Sequence, residues 1–522
     1  MEPAADHKQE VELAERGRQG VDPNESKDVT DHRVEVTPAD NRRLLRKTDR
    51  YILSVLIIVY FLQVIDKTNM GYANVLGLSA DLKLVGNQYS LVNIIVSAAQ
   101  LGWQPFSSYL LVRVPPRYLM TALVFLWGSV EAGLGGCSSF GSLMALRFFL
   151  GLFEAGCLPL FSLMTAQWYR RSEQPMRVAA WYSMNGVAAI IMALISYGLS
   201  HIQGGAVHPW QALFITCGVL TVLGAPLVWF FVDSTVADAR FFTEAEKAQA
   251  VERLRANQTG VGSNEFKWQH IYELFYDIKS LFWVGIALLI NAGTAVASSF
   301  GPTLINNFGF DKYVSSLLNA PFGFLQLVVI LFSSWAAQKM RSKAIPLALL
   351  QIPGIIGCAL LYHEGTSGNF RQSVALGGYY LLAFNFGCNP LLVSWMVANT
   401  AGQTKKSAIM SLYQAGSAAG NIVGPLLFNA KDAPYYIPGI RGCLGIFAAQ
   451  LVCVGLQAVT LYVLNRVRRR QRVAHGKPEF IKDTSMDNKY QQYASGDENE
   501  TLGQNALLDL TDYQNDEFVY VY

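Results

Sequence analysis

The chain has 522 residues, of which 52% are hydrophobic and only 15% are charged. An ordinary soluble domain carries roughly 25% charged residues. The composition therefore excludes an ordinary soluble protein and indicates that lipid surrounds much of the chain. The net charge of +3 is small, and the Lys and Arg residues are informative through their positions rather than their number. We expect no nucleic-acid partner.

The first 48 residues are polar and mixed in charge, and long apolar runs recur from Tyr51 onward. A segment with so little apolar surface cannot offset the entropy of chain ordering, so we predict a disordered cytoplasmic tail over residues 1–48. Each later run is about twenty residues long, enough for a helix to cross roughly 30 Å of hydrocarbon. The runs predict twelve spans: 51–70, 88–110, 118–136, 142–166, 178–199, 211–232, 281–305, 314–337, 344–362, 374–396, 406–428 and 442–465.

A polar segment over residues 233–280 separates the first six spans from the last six. Its charge pattern and aromatic residues predict a cytoplasmic linker with amphipathic pieces on the membrane surface. The chain is thus divided into an N-terminal bundle over 49–232, a C-terminal bundle over 281–465 and a cytoplasmic C-terminal tail over 466–522. Two halves of equal helix count are typical of a duplicated secondary transporter, although helix count alone leaves receptors and membrane enzymes open.

Basic residues mark every second connection between the predicted spans, and these connections lie on the same side as both tails. Examples are Arg113, Arg170, Arg341 and Lys405, whereas the opposite connections hold only isolated charges. Loops rich in Lys and Arg lie on the cytoplasmic side of membrane proteins. We therefore predict that both termini are cytoplasmic.

Few charged side chains lie inside the predicted spans, and we predict four of them as ion-coupling residues: Asp66, Glu131, Arg147 and Glu154. An ionisable group in hydrocarbon costs several kcal/mol, which makes each one a functional candidate. Arg147 and Glu154 are seven residues apart, so they share one helix face about 10 Å apart along the axis. We predict that this face lines the pathway, with Glu154 as a proton carrier near the midplane.

Asp66 falls at a depth similar to that of Arg147, so we expect these two residues to pair when the outer side is closed. In the alternative interpretation, Asp66 and Lys67 cap the first helix at the membrane interface. Structural roles for Glu131 and Glu154 also stay open. The sequence names no partner for Glu131.

Uncharged polar residues in the spans supply the remaining candidates for solute contact. Most such residues join helices by hydrogen bonds, and a minority should line the solute site. We predict substrate contacts from Gln104, Asn185, Asn291 and Asn385, together with Arg147. The seven cysteines are scattered singly, so we expect them to pack as small apolar side chains, and we expect no metal site and no cofactor.

Motifs with a family likeness run from about Asp49 to the carboxyl terminus. They include DKTNMGYANVLGL (66–78), RFFLGLFEAG (147–156), FGPTLINNFGF (300–310), VANTAGQTKKS (397–407) and the C-terminal ALLDLTDYQNDEFVYVY. Together they resemble the major facilitator superfamily and, within it, the fungal allantoate permease group of anion:cation symporters. The resemblance implies an all-α membrane protein of twelve transmembrane helices in two six-helix bundles around a central cavity.

Four positions depart from the group's pattern. In WQPFSS, Gln104 stands where relatives commonly have an acidic residue, and Ser108 stands where they have Asn. Lys67 stands where Arg is common, and Leu160 stands where Gly often follows the Pro. The presence of Gln104 removes one ionisable group from the pathway. It therefore shifts the proton-coupling role toward Glu154 and Asp66.

The resemblance implies proton-coupled uptake of a small organic anion or vitamin-like carboxylate, such as allantoate, nicotinate, pantothenate or biotin. The expected partners are that solute, protons and the lipid bilayer of a fungal plasma membrane, and we expect a monomer. Two alternatives stay open, namely export of a fungal metabolite through the same fold and a transporter-like solute sensor. The chain lacks HExxH, GxSxG and Walker-type motifs, so we predict neither an enzyme nor an ATP-driven transporter.

Overall fold

The computed structural model describes residues 34–85, 88–200, 207–257, 265–310, 312–367, 370–428, 432, 435–481 and 509–522. Within these ranges the regular secondary structure is helical. A helix satisfies its backbone hydrogen bonds internally, which lipid cannot do for an open chain. The architecture therefore agrees with the apolar composition.

Twelve helical segments of the described residues coincide with the twelve predicted spans, and we label them α1 to α12. The first half contains α1 (Ser54–Val75), α2 (Gln88–Arg113), α3 (Pro116–Leu134), α4 (Phe140–Glu154 and Cys157–Trp168), α5 (Gln174–Tyr182 and Met184–Ser200) and α6 (Pro209–Phe231). The second half contains α7 (Ile278–Asn307), α8 (Lys312–Met340), α9 (Ala344–Leu349 and Gln351–Thr366), α10 (Gln372–Leu381, Leu382–Gly387 and Cys388–Ala398), α11 (Gln403–Leu426) and α12 (Ile437–Ala474).

Seven stretches of the described chain combine the length and the apolar composition of a bilayer-crossing helix. They are Pro38–Asn74, Phe140–Trp168, Pro209–Phe231, Pro321–Met340, Ala344–Thr366, Gln372–Ala398 and Ile437–Ala474. More polar helices include α2, which carries the buried Gln100 and Gln104, and α11, which carries the buried Gln414. These two helices pack on each other between the halves, where polar side chains can find protein partners.

The twelve helices form two six-helix bundles. In the first, α3 packs on α6, α2 on α4, and α1 on α5 and α6. In the second, α7 packs on α11 and α12, and α9 on α10 and α12. The halves meet where α2 contacts α11 and where α5 contacts α8 and α10. The site described below lies among these helices.

A further helix, Pro38–Thr48, precedes α1 and departs from the disorder expected over residues 1–48. Thr37 caps this helix: its hydroxyl accepts from the backbone N–H of Asp40 at 3.2 Å, and the Asp40 carboxylate accepts from the Thr37 N–H at 3.3 Å. This capping box stabilises the first turn. Asn41 accepts from Arg253 Nε at 2.6 Å, which attaches the helix to the linker. Residues 1–33 lie outside the described part of the chain.

The described residues of the linker include the α-helices Glu244–Leu254 and Trp268–Tyr276. The first packs on the helix Pro38–Thr48, and Lys47 pairs with Glu246 at 2.8 Å. The second exposes Trp268, Tyr272 and Phe275 while burying His270 and Leu274. This helix has one exposed aromatic side and one side that packs on the protein, which fits the amphipathic pieces expected in this segment.

The N-terminal helix, the linker and residues 509–522 gather at one end of the molecule, which we call the terminal face. Residues 509–522, here named the C-terminal segment, are packed against α7, α11 and α12. The helix α12 continues to Ala474, beyond residue 465 where the C-terminal bundle is predicted to end. Arg468 and Arg472 are buried in this extension and donate to backbone carbonyls of the C-terminal segment.

Close helix packing gives one stability prediction. A Cβ added at Gly218 of α6 would lie 2.2 Å from the backbone nitrogen of Ala132 on α3. Overpacking of this kind costs roughly 1–3 kcal/mol or more, so Gly218→Ala should lower the melting temperature of the purified protein by several degrees. The control is Gly455→Ala on α12, where a Cβ meets nothing within 4 Å. Equal melting temperatures for both variants would contradict tight α3–α6 packing.

Candidate functional site

The four predicted ion-coupling residues are all buried in the first half. Asp66 lies on α1, Glu131 on α3, and Arg147 and Glu154 on the first piece of α4. Each residue is at most 4% exposed. Charges this deeply buried require partners. The four residues differ in the partners that surround them.

Glu154 is held by three side chains from α1 and α2. Its Oε1 accepts a hydrogen bond from Gln63 Nε2 at 3.0 Å and lies 3.2 Å from the Lys67 ammonium. Its Oε2 accepts from Gln100 Nε2 at 3.2 Å. The Lys67 side chain is 46% exposed, whereas that of Glu154 is 4% exposed. The ion pair therefore joins a buried carboxylate to a cation that reaches accessible space.

Asp66 and Lys67 do not cap the first helix, because α1 continues to Val75. The capping interpretation is thus wrong for this structure. The indole N–H of Trp127 donates to Asp66 Oδ2, and the Thr221 hydroxyl lies 3.4 Å from the same oxygen. These partners come from α3 and α6, so Asp66 connects three helices of the first half.

The expected Asp66–Arg147 pair is not formed in this conformation. No ion pair within 4.0 Å joins these two described residues, and Asp66 uses Trp127 and Thr221 instead. The expectation was based only on the similar depth of the two residues in the membrane. It took no account of the neutral donors that α3 and α6 supply to Asp66.

Glu131 has one neutral partner. Asn69 Nδ2 on α1 donates to Glu131 Oε1 at 2.7 Å, and the other carboxylate oxygen, Oε2, has no hydrogen-bond partner among the described residues. Asn69 belongs to the DKTNM stretch, three residues after Asp66. The sequence contained this residue but gave no reason to connect it with α3.

Arg147 is a buried cation with unused donors. Its Nε and Nη2 atoms receive no hydrogen-bond acceptor from the described part of the chain. The guanidinium carbon lies 6.0 Å from the centre of the Phe214 ring. A buried guanidinium whose N–H groups lack acceptors favours a carboxylate ligand. Its N–H groups form a planar fork that matches the two carboxylate oxygens.

A second set of polar contacts lies where α5 of the first half packs on α10 of the second half. Asn185 on α5 donates to the Tyr60 hydroxyl at 2.9 Å. On the other side, Asn389 Oδ1 accepts from Asn291 at 3.3 Å and from the Tyr413 hydroxyl at 2.9 Å. We call these five residues the amide–tyrosine cluster.

Tyr182 on α5 lies beside this cluster. Its ring centre lies 5.4 Å from that of Tyr60, and its backbone carbonyl accepts a hydrogen bond from Asn185 Nδ2 at 2.7 Å. Tyr60, Tyr182, Asn389 and Tyr413 were not predicted as site residues. An aromatic residue in an apolar span gives no signal of its own, because most such residues face lipid or the core.

Gln104 and Asn385 lie outside both sets of contacts. Gln104 donates to the Gln100 carbonyl one turn earlier on α2, at 3.0 Å. Asn385 donates to the Ile290 carbonyl at 3.0 Å and to Thr294 Oγ1 at 3.1 Å, which joins α10 to α7. In the described structure, Gln104 Oε1 and Asn385 Oδ1 are buried without a donor. Each amide thus retains one acceptor atom for a ligand or water.

One face of α1 links the carboxylate site to the amide–tyrosine cluster. Tyr60, Gln63 and Lys67 are spaced by three and four residues, so they lie in one row along the helix. Tyr60 belongs to the amide–tyrosine cluster, whereas Gln63 and Lys67 contact Glu154. A solute beside this row would therefore meet hydroxyl, amide and ammonium groups in succession.

No metal centre is evident in the residues for which the structure gives positions, since no three His, Cys, Asp or Glu side chains group closely enough to hold an ion. All seven cysteines lie in the described ranges, and they are free, with six of them buried. Their positions agree with packing as small apolar side chains.

Comparisons with known proteins give one consistent result. The sequence model of the Major Facilitator Superfamily matches residues 56–477. The thiamine pathway transporter of Saccharomyces cerevisiae is 31% identical over 489 residues, which cover 92% of this chain and 86% of that protein. The allantoate permease of the same yeast is 30% identical over 515 residues, covering 93% of this chain and 88% of the permease.

Solved structures show the same fold. The proton:xylose symporter XylE, bound to 6-bromo-6-deoxy-D-glucose, has a TM-score of 0.60 at 14% identity, and the alignment covers 78% of this chain and 95% of the symporter. Fold and sequence similarity thus agree with the two helical bundles. The chain belongs to the major facilitator superfamily, resembles the allantoate permease family within it, and is a multi-pass membrane transporter rather than an enzyme.

Proposed function

We propose that this transporter is a monomer that takes up a small organic anion, such as a vitamin-like carboxylate, together with protons across a fungal plasma membrane. In this proposal the terminal face is cytoplasmic. The loops at that face carry the clustered basic residues, which supports this orientation. The observation that carries the proposal is the buried Arg147 guanidinium, whose Nε and Nη2 donors have no acceptor in the described structure.

A carboxylate solute supplies what Arg147 lacks. It brings a negative charge and two acceptor oxygens that match the guanidinium fork. A neutral solute would offer these buried N–H groups only acceptors without charge, and such hydrogen bonds are weaker than those to a carboxylate. Arg147 therefore selects for anions in this proposal.

Glu154 and Lys67 provide a way to couple the solute to a proton. In the structure the Lys67 ammonium is neutralised by Glu154 at 3.2 Å. Protonation of Glu154 removes that negative charge and leaves Lys67 free to attract the solute carboxylate. Proton binding and anion binding then favour each other, and by linkage the effect is reciprocal. We assign Asp66 and Glu131 supporting roles as further protonatable groups in the same half.

The remaining solute contacts come from four amide side chains. Asn185 and Asn291 belong to the amide–tyrosine cluster, and Gln104 and Asn385 each keep a buried oxygen without a donor. Hydroxyl or amide groups of the solute could satisfy these atoms. We infer that Arg147 and Lys67 select the charge and that the amides select the shape of the rest of the molecule.

Paired uptake assays test this function. Cells that express the chain receive radiolabelled nicotinate, pantothenate, biotin or allantoate at external pH 5 and pH 7, with nicotinamide as the uncharged partner of nicotinate. We expect at least one carboxylate to accumulate faster at pH 5, to lose that advantage with a protonophore, and to exceed its neutral analogue by about tenfold or more.

Other outcomes would contradict the proposal in distinct ways. Equal uptake of nicotinate and nicotinamide would remove the anion-selective role of Arg147. Carboxylate uptake that is insensitive to pH and protonophore would remove proton coupling. Accumulation in inverted vesicles alone would favour the export alternative.

A further inference from the structure

The C-terminal segment is built into the terminal face rather than lying free beyond α12. Its residues Asp512, Glu517, Phe518, Tyr520 and Val521 are all at most 5% exposed. Buried polar groups in a chain end need dedicated partners, and the structure supplies them from both halves of the transporter.

Asp512 anchors the segment to the second half. Its carboxylate lies 2.6 Å from the ammonium of Lys279 on α7 and 2.9 Å from that of Lys405 on α11. The Tyr520 hydroxyl donates to the same carboxylate at 2.9 Å. The side chains of Asp512, Lys279 and Lys405 are essentially fully buried, so this is an interior ionic cluster.

Two asparagines hold the last residues of the segment by its backbone. Asn399 accepts from the Val521 N–H at 2.8 Å and donates to the Val521 carbonyl at 2.9 Å. Asn465 on α12 accepts from the Tyr520 N–H at 2.9 Å and donates to its carbonyl at 2.8 Å. The Trp395 indole on α10 also donates to the Val521 carbonyl at 2.9 Å. These bonds are specific to an extended chain in one register.

Arg171 connects the same stretch to the first half. It lies in the α4–α5 connection and donates through Nη1 to the Val519 carbonyl at 3.0 Å. Its guanidinium carbon stands 4.5 Å from the centre of the Phe518 ring. The backbone N–H of Arg171 donates to Asn257 of the linker at 3.1 Å, which fixes its position. Residues 518–521 therefore touch both halves.

We propose that the C-terminal segment is a latch that holds the terminal-face ends of the two halves together, with Arg171 as its contact point on the first half. A transporter of this fold exposes its site alternately to the two sides, so the ends must separate in one state. The anchoring to the second half is extensive, and Arg171 of the first half supplies a hydrogen bond to Val519 and a ring contact with Phe518. The segment stays with the second half, and the Arg171 contacts break when the face opens.

The latch remains anchored at physiological pH. Burial opposes ionisation of Asp512, but the ammonium groups of Lys279 and Lys405 outweigh it and hold the pKa of this carboxyl below its ordinary value of 3.8. The contribution of Asp512 is therefore present above pH 3.8 and is lost only as pH falls through the lower, folded pKa. The charged and titratable neighbours in this cluster include Lys279, Lys405, Lys406, Arg468, Asp277, Glu273, Tyr513 and Tyr520.

A buried serine between the halves offers a reporter of opening. Ser407 on α11 is buried and donates to the Ser108 carbonyl on α2 at 2.8 Å. The rate of maleimide labelling of a Ser407→Cys chain, purified in detergent, measures how often this interface opens. The parent chain with its native cysteines gives the background. The assay uses neither solute nor proton gradient, so its result is independent of the proposed function.

Adding Arg171→Gln to the Ser407→Cys chain should raise the labelling rate about tenfold. Loss of a charge-assisted hydrogen bond should change the ratio of open to closed molecules by about this factor. Lys477→Gln is the matched control, because Lys477 pairs with Asp516 at 2.8 Å and Glu517 at 3.1 Å without contacting the first half. It should leave the rate unchanged. An unchanged rate with Arg171→Gln, or an equal rise with Lys477→Gln, overturns the latch.

Removal of residues 509–522 from the Ser407→Cys chain provides a second test. Labelling should accelerate by at least as much as with Arg171→Gln. A synthetic peptide of residues 509–522, added to the truncated chain, should restore slow labelling, and the same peptide with Asp512→Asn should not. Fast labelling that the unmodified peptide fails to slow would show that the segment serves folding, and would overturn the latch.

Discussion

Replacing Glu154 by glutamine should abolish the stimulation of carboxylate uptake by acid, so that the ratio of the rates at pH 5 and pH 7 falls to about one. Glutamine keeps the size of the side chain and can still accept the hydrogen bond from Gln63. It cannot exchange a proton, and it no longer neutralises Lys67. The fold should therefore persist while the coupling is lost, which uptake assays at both pH values would measure beside the melting temperature.

Two control variants locate the coupling group. Glu131→Gln removes a buried carboxylate of the same half that has a neutral partner, Asn69, and no cation within ion-pair distance in the described structure. Glu244→Gln removes an exposed carboxylate from the linker helix. Glu131→Gln should keep most of the acid stimulation, in keeping with a supporting role, and Glu244→Gln should keep all of it. Loss of stimulation in Glu131→Gln but not in Glu154→Gln would transfer the proton-carrier role to Glu131.

Replacing Arg147 by glutamine should weaken binding of the transported carboxylate by about 100-fold or more, because loss of one partner from a buried charge pair costs 2–5 kcal/mol. Arg147→Lys should weaken it less, by about tenfold, because lysine keeps the charge but loses the planar fork. Titration of purified protein in detergent with the carboxylate found by uptake would measure both constants.

Arg441→Gln is the matched control for these variants. Arg441 lies on α12 and donates to the Tyr362 hydroxyl at an exposed position, so its replacement should leave binding unchanged. A fall in melting temperature without any change in affinity for Arg147→Gln would assign Arg147 a structural role. In that case the positive charge would serve to offset the buried carboxylates Asp66, Glu131 and Glu154.

The proposed coupling also suggests a reason for Lys67 in place of the arginine that the resembling group commonly has. An ammonium is a compact point charge on a flexible stem, whereas a guanidinium binds a carboxylate through a rigid two-pronged contact. The Lys67 side chain is 46% exposed while it contacts the buried Glu154. A flexible cation in this position can exchange one carboxylate for another, which suits a group shared by Glu154 and a solute.

Long apolar helices were predictable from the sequence because the bilayer leaves few alternatives. Lipid requires backbone groups to be satisfied within a segment, and about twenty apolar residues meet the thickness of the hydrocarbon. All twelve predicted spans coincide with helices of the described structure. The same reasoning singled out Asp66, Glu131, Arg147 and Glu154, since charges are rare in such helices. Local signals were strong here because each depends on a single segment.

The ordered structure near the two ends of the chain was harder to predict from the composition. The helix Pro38–Thr48 begins with a capping box at Thr37 and Asp40, a local signal outweighed by the charged composition around it. The C-terminal segment is short and has polar residues among its aromatic ones, so its burial depends on Lys279, Lys405 and Asn399, which are distant in the chain. Neither composition nor periodicity reports such contacts.

The sequence by itself determined the helices, the two halves and the four charges buried in the spans of the first half, because lipid imposes those features segment by segment. Only the tertiary structure decided which side chains those charges contact. Glu154 finds Gln63 ninety-one residues away and Glu131 finds Asn69 sixty-two residues away, while Asp66 contacts Trp127 rather than Arg147. Such pairings depend on the rotation and depth of neighbouring helices, which packing fixes and the pattern of a single helix does not contain.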